Sequence, residues 1–150
     1  MKQYDAKTAA RVWDRVQSAP TPPADVPILL TLMTEESLNA LTYQRLSRKL
    51  PPPLAATARQ LAQQEQAHAV CLKGIYTMIT GEKPAVSLPP VADDPPQIVL
   101  RRCYGRQMRA LAQYEARQTD PQYGYVFRSL AHQEQEHCHR ILEMLGALTK

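Results

Sequence analysis

An eight-residue segment occurs twice in this chain, and the repeat constrains the fold more than any other feature. Residues 61–68 read LAQQEQAH and residues 130–137 read LAHQEQEH, so six of the eight positions are identical. Each copy contains Glu-x-x-His, formed by Glu65 with His68 and by Glu134 with His137. Positions three apart lie on one face of an α-helix, so each pair can direct a carboxylate and an imidazole to one point. The repeat therefore predicts two helices that each offer two metal ligands.

Both pairs lie within apolar stripes of helical spacing. The stripes consist of Leu54, Ala58, Leu61, Leu72, Ile75 and Ile79 around the first pair, and Tyr123, Phe127, Leu130, Ile141, Met144 and Leu148 around the second. An apolar stripe faces the core, where an ionised group is costly unless a partner or a metal compensates its charge. Two such pairs at matching places predict one shared centre. Without a metal, the four side chains would form a buried, mutually hydrogen-bonded polar layer.

The composition favours a single all-α domain. The chain has 150 residues, which suffices for a core without disulfides, and it contains only one Trp and one Phe. The net charge of +4 is modest, and basic residues are spread over several segments. We interpret the cluster of Arg101, Arg102, Arg106 and Arg109 as a solvated helix face, so no nucleic-acid partner is expected.

Cysteine usage and hydropathy predict a soluble protein of the cytoplasm. Cys71, Cys103 and Cys138 are odd in number and include no Cys-x-x-Cys pair, so we expect reduced thiols that pack within helices. No stretch has the length of a membrane span, and the N-terminal residues lack the apolar core of a signal peptide. We therefore expect no membrane contact.

Proline-rich segments divide the chain into helices. An extra N-terminal helix is predicted over 5–18, and a proline-rich linker follows it, so we divide the chain into residues 1–27 and a helical domain of residues 28–150. Four helices are predicted there, over 28–50, 54–80, 97–119 and from the N-cap Asp120 to 148. The prolines at 51–53 and the break at 120 make two antiparallel hairpins, which the long segment 82–96 joins as a crossover.

Glu36 places a third carboxylate on the apolar side of the first bundle helix. Together with the two Glu-x-x-His pairs, over residues 28–148, the chain resembles the ferritin-like superfamily, in particular its rubrerythrin-like members. Those proteins have one Glu from each of two helices and Glu-x-x-His from each of the other two. The resemblance implies a ferritin-like four-helix bundle whose metal ligands are Glu36, Glu65, His68, Glu134 and His137.

The third bundle helix departs from the family's pattern. Glu36 lies seven residues before Tyr43, whereas the residue seven before Tyr114 is Gln107, which is not a carboxylate. Gln107 could bind a metal through its amide oxygen, or Tyr104 or a water could take that position. A mononuclear site and an asymmetric two-metal site therefore both stay open. Tyr43 and Tyr114 are interpreted as core aromatics or as hydrogen-bond partners of the ligands.

Four glutamines flank the ligands in both copies of the repeat, namely Gln64, Gln66, Gln133 and Gln135. They are candidate hydrogen-bond donors to the ligands, although inheritance from a duplicated ancestor would also explain them. The exposed positions expected for His132 and His139 place those two histidines outside the site.

Carboxylates combined with imidazole suit Fe(II) and Mn(II), so iron is the expected metal and manganese the other candidate. The resemblance implies an oxidoreductase that oxidises Fe(II) or reduces peroxide or dioxygen. Because no Cys-x-x-Cys rubredoxin module is present, electrons for turnover would come from a separate donor protein, or the reaction would be iron oxidation itself. A homodimer is expected. The alternative is a degenerate, non-catalytic bundle that serves as an interaction or dimerisation scaffold, and the missing carboxylate is its best support.

Overall fold

The structure, a computed structural model, describes Lys7 and residues 25–149, which contain four long α-helices and no β-strand. The helices are α1 Asp25–Ser47, α2 Pro52–Thr80, α3 Pro96–Glu115 and α4 Gly124–Leu148. The all-α prediction is confirmed for this part of the chain. Apart from Lys7, the helix predicted over 5–18 lies outside the described residues, and the division after residue 27 stays a prediction.

The four helices pack as two hairpins. α1 packs along α2 and α3 packs along α4, while the hairpins meet through α1 against α3 and α2 against α4. Side-chain contacts give the direction of the last pair: His137 of α4 contacts Gln64 of α2, and Arg140, further along α4, contacts Gln60, earlier in α2. α2 and α4 therefore run antiparallel, and the packing is consistent with a four-helix bundle.

A polar layer divides the apolar core into two clusters. The first core cluster includes Leu32 and Leu72, and the second core cluster includes Ala58 and Ile141. Each helix passes from one cluster to the other and places buried polar residues in between. The repeated motifs thus lie at the middle of the bundle.

The connection from α2 to α3 runs along the outside of α1. Gly81 ends α2 with a positive φ of 71°, a left-handed conformation that favours glycine. Further along, Val86 packs against the first core cluster, and Asp93 forms an ion pair with Lys49 just after the end of α1. Residues 83–95 have no regular structure, as predicted, and they let α3 begin at the end of the bundle opposite to that where α2 stops.

The bounds of α1 and α3 differ from the predicted ones. α1 begins at Asp25 rather than at 28, because Pro27 fits the first turn of a helix, where a missing N–H breaks no hydrogen bond. It ends at Ser47 rather than at 50. α3 ends at Glu115 rather than at 119, and turns follow it.

Asp120 does not cap α4, so that prediction is wrong. Its Oδ1 accepts hydrogen bonds from the backbone N–H groups of Gln122 and Tyr123 at 2.9 and 2.8 Å. This is a turn before the helix, and α4 begins only at Gly124. A Cβ at Gly124 would collide with the carbonyl oxygen of Gln118, so the close approach of the chain to itself requires a glycine there.

The three cysteines are free thiols. Cys103 and Cys138 are buried, as expected for packing residues. Cys71 is exposed, so the packing prediction is wrong for this residue, because its side of α2 faces solvent.

Three of the four clustered arginines of α3, Arg101, Arg102 and Arg109, are exposed on its outer side. Arg106 is only partly exposed and donates a hydrogen bond of 2.6 Å to the buried Asn39, so the prediction of a solvated face is wrong for this residue. Arg102 forms an ion pair with Asp94, and Arg109 lies 4.0 Å from Glu35. Both arginines are more than half exposed, which agrees with a solvated helix face. Along the described helices, no segment is long and apolar enough to cross a membrane.

Candidate metal centre

Each of the four helices contributes one buried carboxyl or amide side chain to the polar layer. These are Glu36 from α1, Glu65 from α2, Gln107 from α3 and Glu134 from α4, and none is more than 1 % exposed. His68 of α2 and His137 of α4 complete the layer and are also buried. The spacing of Glu-x-x-His on α2 and α4 brings each pair to the same level, as predicted from the repeat.

His68 lies among three carboxylates. Its Nδ1 atom is 3.0 Å from Glu134 Oε1, 3.5 Å from Glu36 Oε2 and 3.8 Å from Glu65 Oε2. Ligands about 2.1 Å from one ion lie about 3.0 to 3.4 Å apart in octahedral or tetrahedral geometry. These four donor atoms therefore have nearly the spacing of ligands to a common ion.

His137 faces two carboxylates and one amide. Its Nδ1 atom is 2.9 Å from Glu65 Oε1 and 3.9 Å from Glu134 Oε2. The amide of Gln107 donates a hydrogen bond to the same oxygen of Glu65. The rings of His68 and His137 stack with their centroids 5.3 Å apart. The two Glu-x-x-His pairs together offer four ligand atoms within 4.8 Å of one another.

A glutamine from the facing helix orients each imidazole. His68 Nε2 donates to Gln133 Oε1, and His137 Nε2 donates to Gln64 Oε1, both at 2.7 Å. Each Nδ1 lies at hydrogen-bond distance from a carboxylate oxygen, 3.0 Å from Glu134 for His68 and 2.9 Å from Glu65 for His137. A neutral imidazole that donates through Nε2 carries no proton on Nδ1 and has its lone pair there. This is the tautomer that binds a metal through Nδ1.

The prediction for the flanking glutamines holds only in part. Gln64 and Gln133 do contact the layer, but they act as acceptors from the histidines rather than as donors. Gln66 and Gln135 are exposed. The two pairs differ because Gln64 and Gln133 lie four residues before His68 and His137 and so share their helical face, whereas Gln66 and Gln135 lie two residues before these histidines and point elsewhere.

Two buried tyrosines contact the layer from opposite hairpins. Tyr114 donates a hydrogen bond of 2.7 Å to Glu36 Oε1, and Gln107 Nε2 donates one of 3.2 Å to the Tyr43 hydroxyl. Burial is the main cause that raises the pKa of both phenols well above 10, so both keep their proton at neutral pH. Tyr104 packs against the second core cluster instead of contacting the layer.

The surroundings give the two histidines opposite protonation states. Burial alone would lower the pKa of His68, but hydrogen bonds and charges of Glu134 and Glu36 outweigh it and raise that pKa to about 10. Burial and the positive charge of His68 lower the pKa of His137 to about 4. Burial and the charge of Glu36 raise the pKa of Glu134 to about 8. Without a metal, a proton at His68 therefore compensates part of the carboxylate charge.

Four buried oxygen atoms of the layer accept no hydrogen bond. They are Oε2 of Glu36, Glu65 and Glu134 and Oε1 of Gln107, one from each helix. A buried polar atom without a partner costs about 1–3 kcal/mol, so such atoms rarely gather in one place. The three carboxylate oxygens among them lie 3.5–3.9 Å from an imidazole Nδ1, so a cation bound beside the imidazoles could supply their missing partner. The donor set contains carboxylate oxygens and imidazole but no thiolate, which fits Fe(II) or Mn(II).

The two remaining histidines lie outside the layer. His132 pairs with Glu136 at 3.4 Å and His139 pairs with Glu143 at 3.1 Å, and both histidines are about three-quarters exposed. They form surface ion pairs of the i, i+4 type.

Comparison with known proteins identifies no relative: no protein-family model, no curated protein and no solved structure matches this chain. The structure thus establishes four helices packed in a manner consistent with a bundle, together with a buried Glu/His cluster that could bind a metal ion.

Proposed function

We propose that this chain is a ferritin-like, rubrerythrin-like protein that binds iron, or manganese, and oxidises Fe(II) or reduces peroxide or dioxygen. The supporting observation is the buried cluster of Glu65, His68, Glu134 and His137, whose ligand atoms lie within 4.8 Å of one another and whose carboxylates include oxygens without a hydrogen-bond partner in the protein. A layer with these unpaired acceptors is costly without a cation and favourable with one.

The carboxylates differ in the roles that they would have. Glu65 and Glu134 each place one oxygen near His68 and the other near His137, so these two would bridge two metal positions. Glu36 lies near His68 and would bind at one position only. Bound Fe(II) would supply the electrons that reduce peroxide or dioxygen and would itself be oxidised.

The protein around the layer would control access. Apolar clusters on both sides exclude water, which strengthens electrostatic interactions within the layer. The histidine edge is closer to solvent, since Gln64 is exposed and Gln133 is partly exposed. Small ions and electrons would enter most directly at this edge. A separate electron-donor protein and a homodimeric, cytoplasmic state are part of the proposal.

A second candidate function is a non-catalytic bundle that serves as an interaction or dimerisation scaffold. Its support is Gln107, because a neutral amide that donates to Glu65 already satisfies one carboxylate oxygen without a metal. In this case the layer would be structural, and metal removal would leave the fold and its associations unchanged.

The two candidates are distinguished by anaerobic loading of the metal-free protein with Fe(II). Bound iron is counted by elemental analysis, and peroxide is then added while ferric absorption is followed by stopped flow. We expect the unmodified chain to bind iron and oxidise it rapidly, and the H68A/H137A variant to lose both properties. The control H132A/H139A removes the same number of histidines from the surface and should behave like the unmodified chain.

Circular dichroism of each variant tests whether the helices remain. If the unmodified chain binds no iron, or if H68A/H137A binds as much as the control, the metal function is wrong and the scaffold is favoured.

A further inference from the structure

The two hairpins place equivalent residues in the layer at all but one position. The equivalent pairs are Glu65 with Glu134, His68 with His137, Gln64 with Gln133, Tyr43 with Tyr114, and Glu36 with Gln107. The first four pairs are identical residues, and the Glu, His and Gln pairs make reciprocal contacts between the hairpins. In the last pair, one hairpin has the carboxylate Glu36 where the other has the amide Gln107. The two hairpins are therefore not equivalent at this position.

The two members of this pair make different contacts. Glu36 accepts from Tyr114 through Oε1 and keeps Oε2, without a hydrogen bond, 3.5 Å from His68 Nδ1. Gln107 uses its amide N–H groups to donate to Glu65 and Tyr43. Glu36 therefore offers a charged donor atom to its half of the layer, whereas Gln107 offers only a neutral one.

The charge around the two histidines is unequal as a result. Three carboxylates lie within 3.8 Å of His68 Nδ1. Two carboxylates lie within 3.9 Å of His137 Nδ1, and the nearer of them, Glu65, accepts a hydrogen bond through the same Oε1 atom from the amide of Gln107. Because attraction between charges in a water-poor layer is strong, one missing carboxylate weakens a cation's binding substantially.

We propose that Gln107 makes the centre unequal, with a tight metal position at Glu36 and His68 and a weaker, exchangeable position at Gln107 and His137. Glu65 and Glu134 bridge both positions. This inference rests on the proposed metal binding. The tight position retains a resident ion, and the weak position takes a divalent ion that exchanges with solvent, which suits Fe(II) as a substrate.

The first test is a calorimetric titration of the metal-free protein with Mn(II), accompanied by electron paramagnetic resonance. For the unmodified chain we expect two binding events whose dissociation constants differ by about 10- to 100-fold. This is the usual loss of metal affinity when a group that supports a ligand is changed. Spin-coupled manganese pairs should appear only after the second event. Gln107→Glu should tighten the second event until the two constants are similar.

Exchanging the two residues gives a sharper test. Glu36→Gln alone should abolish the tight event, and the double variant E36Q/Q107E should restore it in the opposite half of the layer. Accordingly, H68A should remove the tight event from the unmodified chain, whereas H137A should remove it from the double variant. A merely structural role for Glu36 would not move the tight event from one histidine to the other.

Circular dichroism verifies that each variant is folded, and Gln107→Glu is purified with Mn(II) present because it adds a buried charge. Two events of equal affinity in the unmodified chain, or failure of the folded double variant to restore tight binding, would overturn the inference. Absence of Mn(II) binding by every folded variant would instead contradict the proposed function itself.

Discussion

At the scale of single residues, the tyrosines show how equivalent positions acquire different roles. Tyr114 donates to the charged Glu36, while Tyr43 accepts from the neutral amide of Gln107. Hydrogen bonds to charged groups contribute about 1.5–3 kcal/mol, roughly twice the contribution of neutral ones. Tyr114 therefore stabilises the carboxylate that distinguishes the two halves of the layer.

Tyr114→Phe is predicted to weaken the first metal-binding event about 10- to 100-fold, because Glu36 would lose the donor that orients it. Tyr43→Phe is the matched control and should change that event less than about tenfold. Calorimetric titration with Mn(II) measures both. Equal effects of the two substitutions would show that the Glu36 contact has no special part in metal binding.

The protons in the layer predict how metal affinity depends on pH. The pKa of His68 is raised to about 10 and that of Glu134 to about 8, so both groups hold a proton at neutral pH and must release it when a metal binds them. A metal competes with these protons, so affinity should rise with pH, about tenfold per unit for each proton released. Titrations in two buffers of different ionisation enthalpy should show at least one proton released per chain at pH 7.

His137 provides the internal comparison for this prediction. Its pKa is lowered to about 4, so it is already neutral at pH 7 and contributes no proton on binding. Metal affinity that does not change between pH 6 and pH 8 would mean that His68 is not a ligand.

The ligand-bearing residues were the most predictable part of the site. A Glu-x-x-His motif on an apolar stripe predicts that the two side chains lie about one helical turn apart on one face and that both are buried. Both predictions follow from the same helical period, which sets the three-residue spacing and the spacing of the apolar residues. The role of Gln64 and Gln133 was less predictable, because their contacts are to the facing helix and depend on how α2 and α4 pack. Sequence spacing also placed Gln107 at the level of the layer, but its donation to Glu65 appears only in the structure.

At the scale of helices, glycine and proline determine where each element stops. Gly81 ends α2 in the left-handed conformation and allows the chain to turn along α1. Pro52 and Pro96 begin α2 and α3 at positions where a missing N–H breaks no hydrogen bond. The ends that lack such residues, those of α1 and α3, are the ones that the sequence predicted too far along the chain.

Gly81→Ala is predicted to lower the free energy of unfolding by about 1–2 kcal/mol, because alanine is strained at a positive φ. Gly74 is the matched control in the same helix. A Cβ at Gly74 would contact nothing within 4 Å, so Gly74→Ala should raise the free energy of unfolding by about 0.5–1 kcal/mol. Urea denaturation of the metal-free protein measures both. Effects of the same sign would contradict the assigned end of α2.

Asp120 shows a limit of helix prediction from sequence. An Asp followed by Pro is a strong N-cap signal, yet here the aspartate bonds the N–H groups of a turn that precedes α4. A helix N-cap and this turn both use hydrogen bonds from nearby backbone N–H groups to the aspartate side chain. What distinguishes them is the close passage of Gly124 over the backbone at Gln118, a contact between the ends of two helices.

At the scale of the whole molecule, a charged layer separates two apolar clusters. The clusters stabilise the helices, and the layer opposes folding by burying three carboxylates. A ligand that binds only the folded state adds stability, about 2.7 kcal/mol when its concentration is 100 times its dissociation constant. If the proposed metal binding is right, a bound cation therefore adds to the stability of the folded chain.

The antiparallel packing of α1 with α2 was predictable, because only a short link joins these helices. The long segment between α2 and α3 was likewise expected to connect the two hairpins, since few other topologies fit these connection lengths. The pairing of α1 with α3 and of α2 with α4 was not, because it depends on how side chains of different helices fit together. That pairing brings each histidine to the glutamate of the other repeat.

The most direct test of a metal centre in this layer is anomalous X-ray diffraction from crystals of the protein loaded with Fe(II) under anaerobic conditions. We predict a peak at the iron absorption edge inside the buried layer, within about 2.5 Å of Nδ1 of His68 and of oxygens of Glu65 and Glu134. An anomalous peak only at surface residues such as His132 or His139, or no peak within the bundle at saturating iron, would contradict the metal centre.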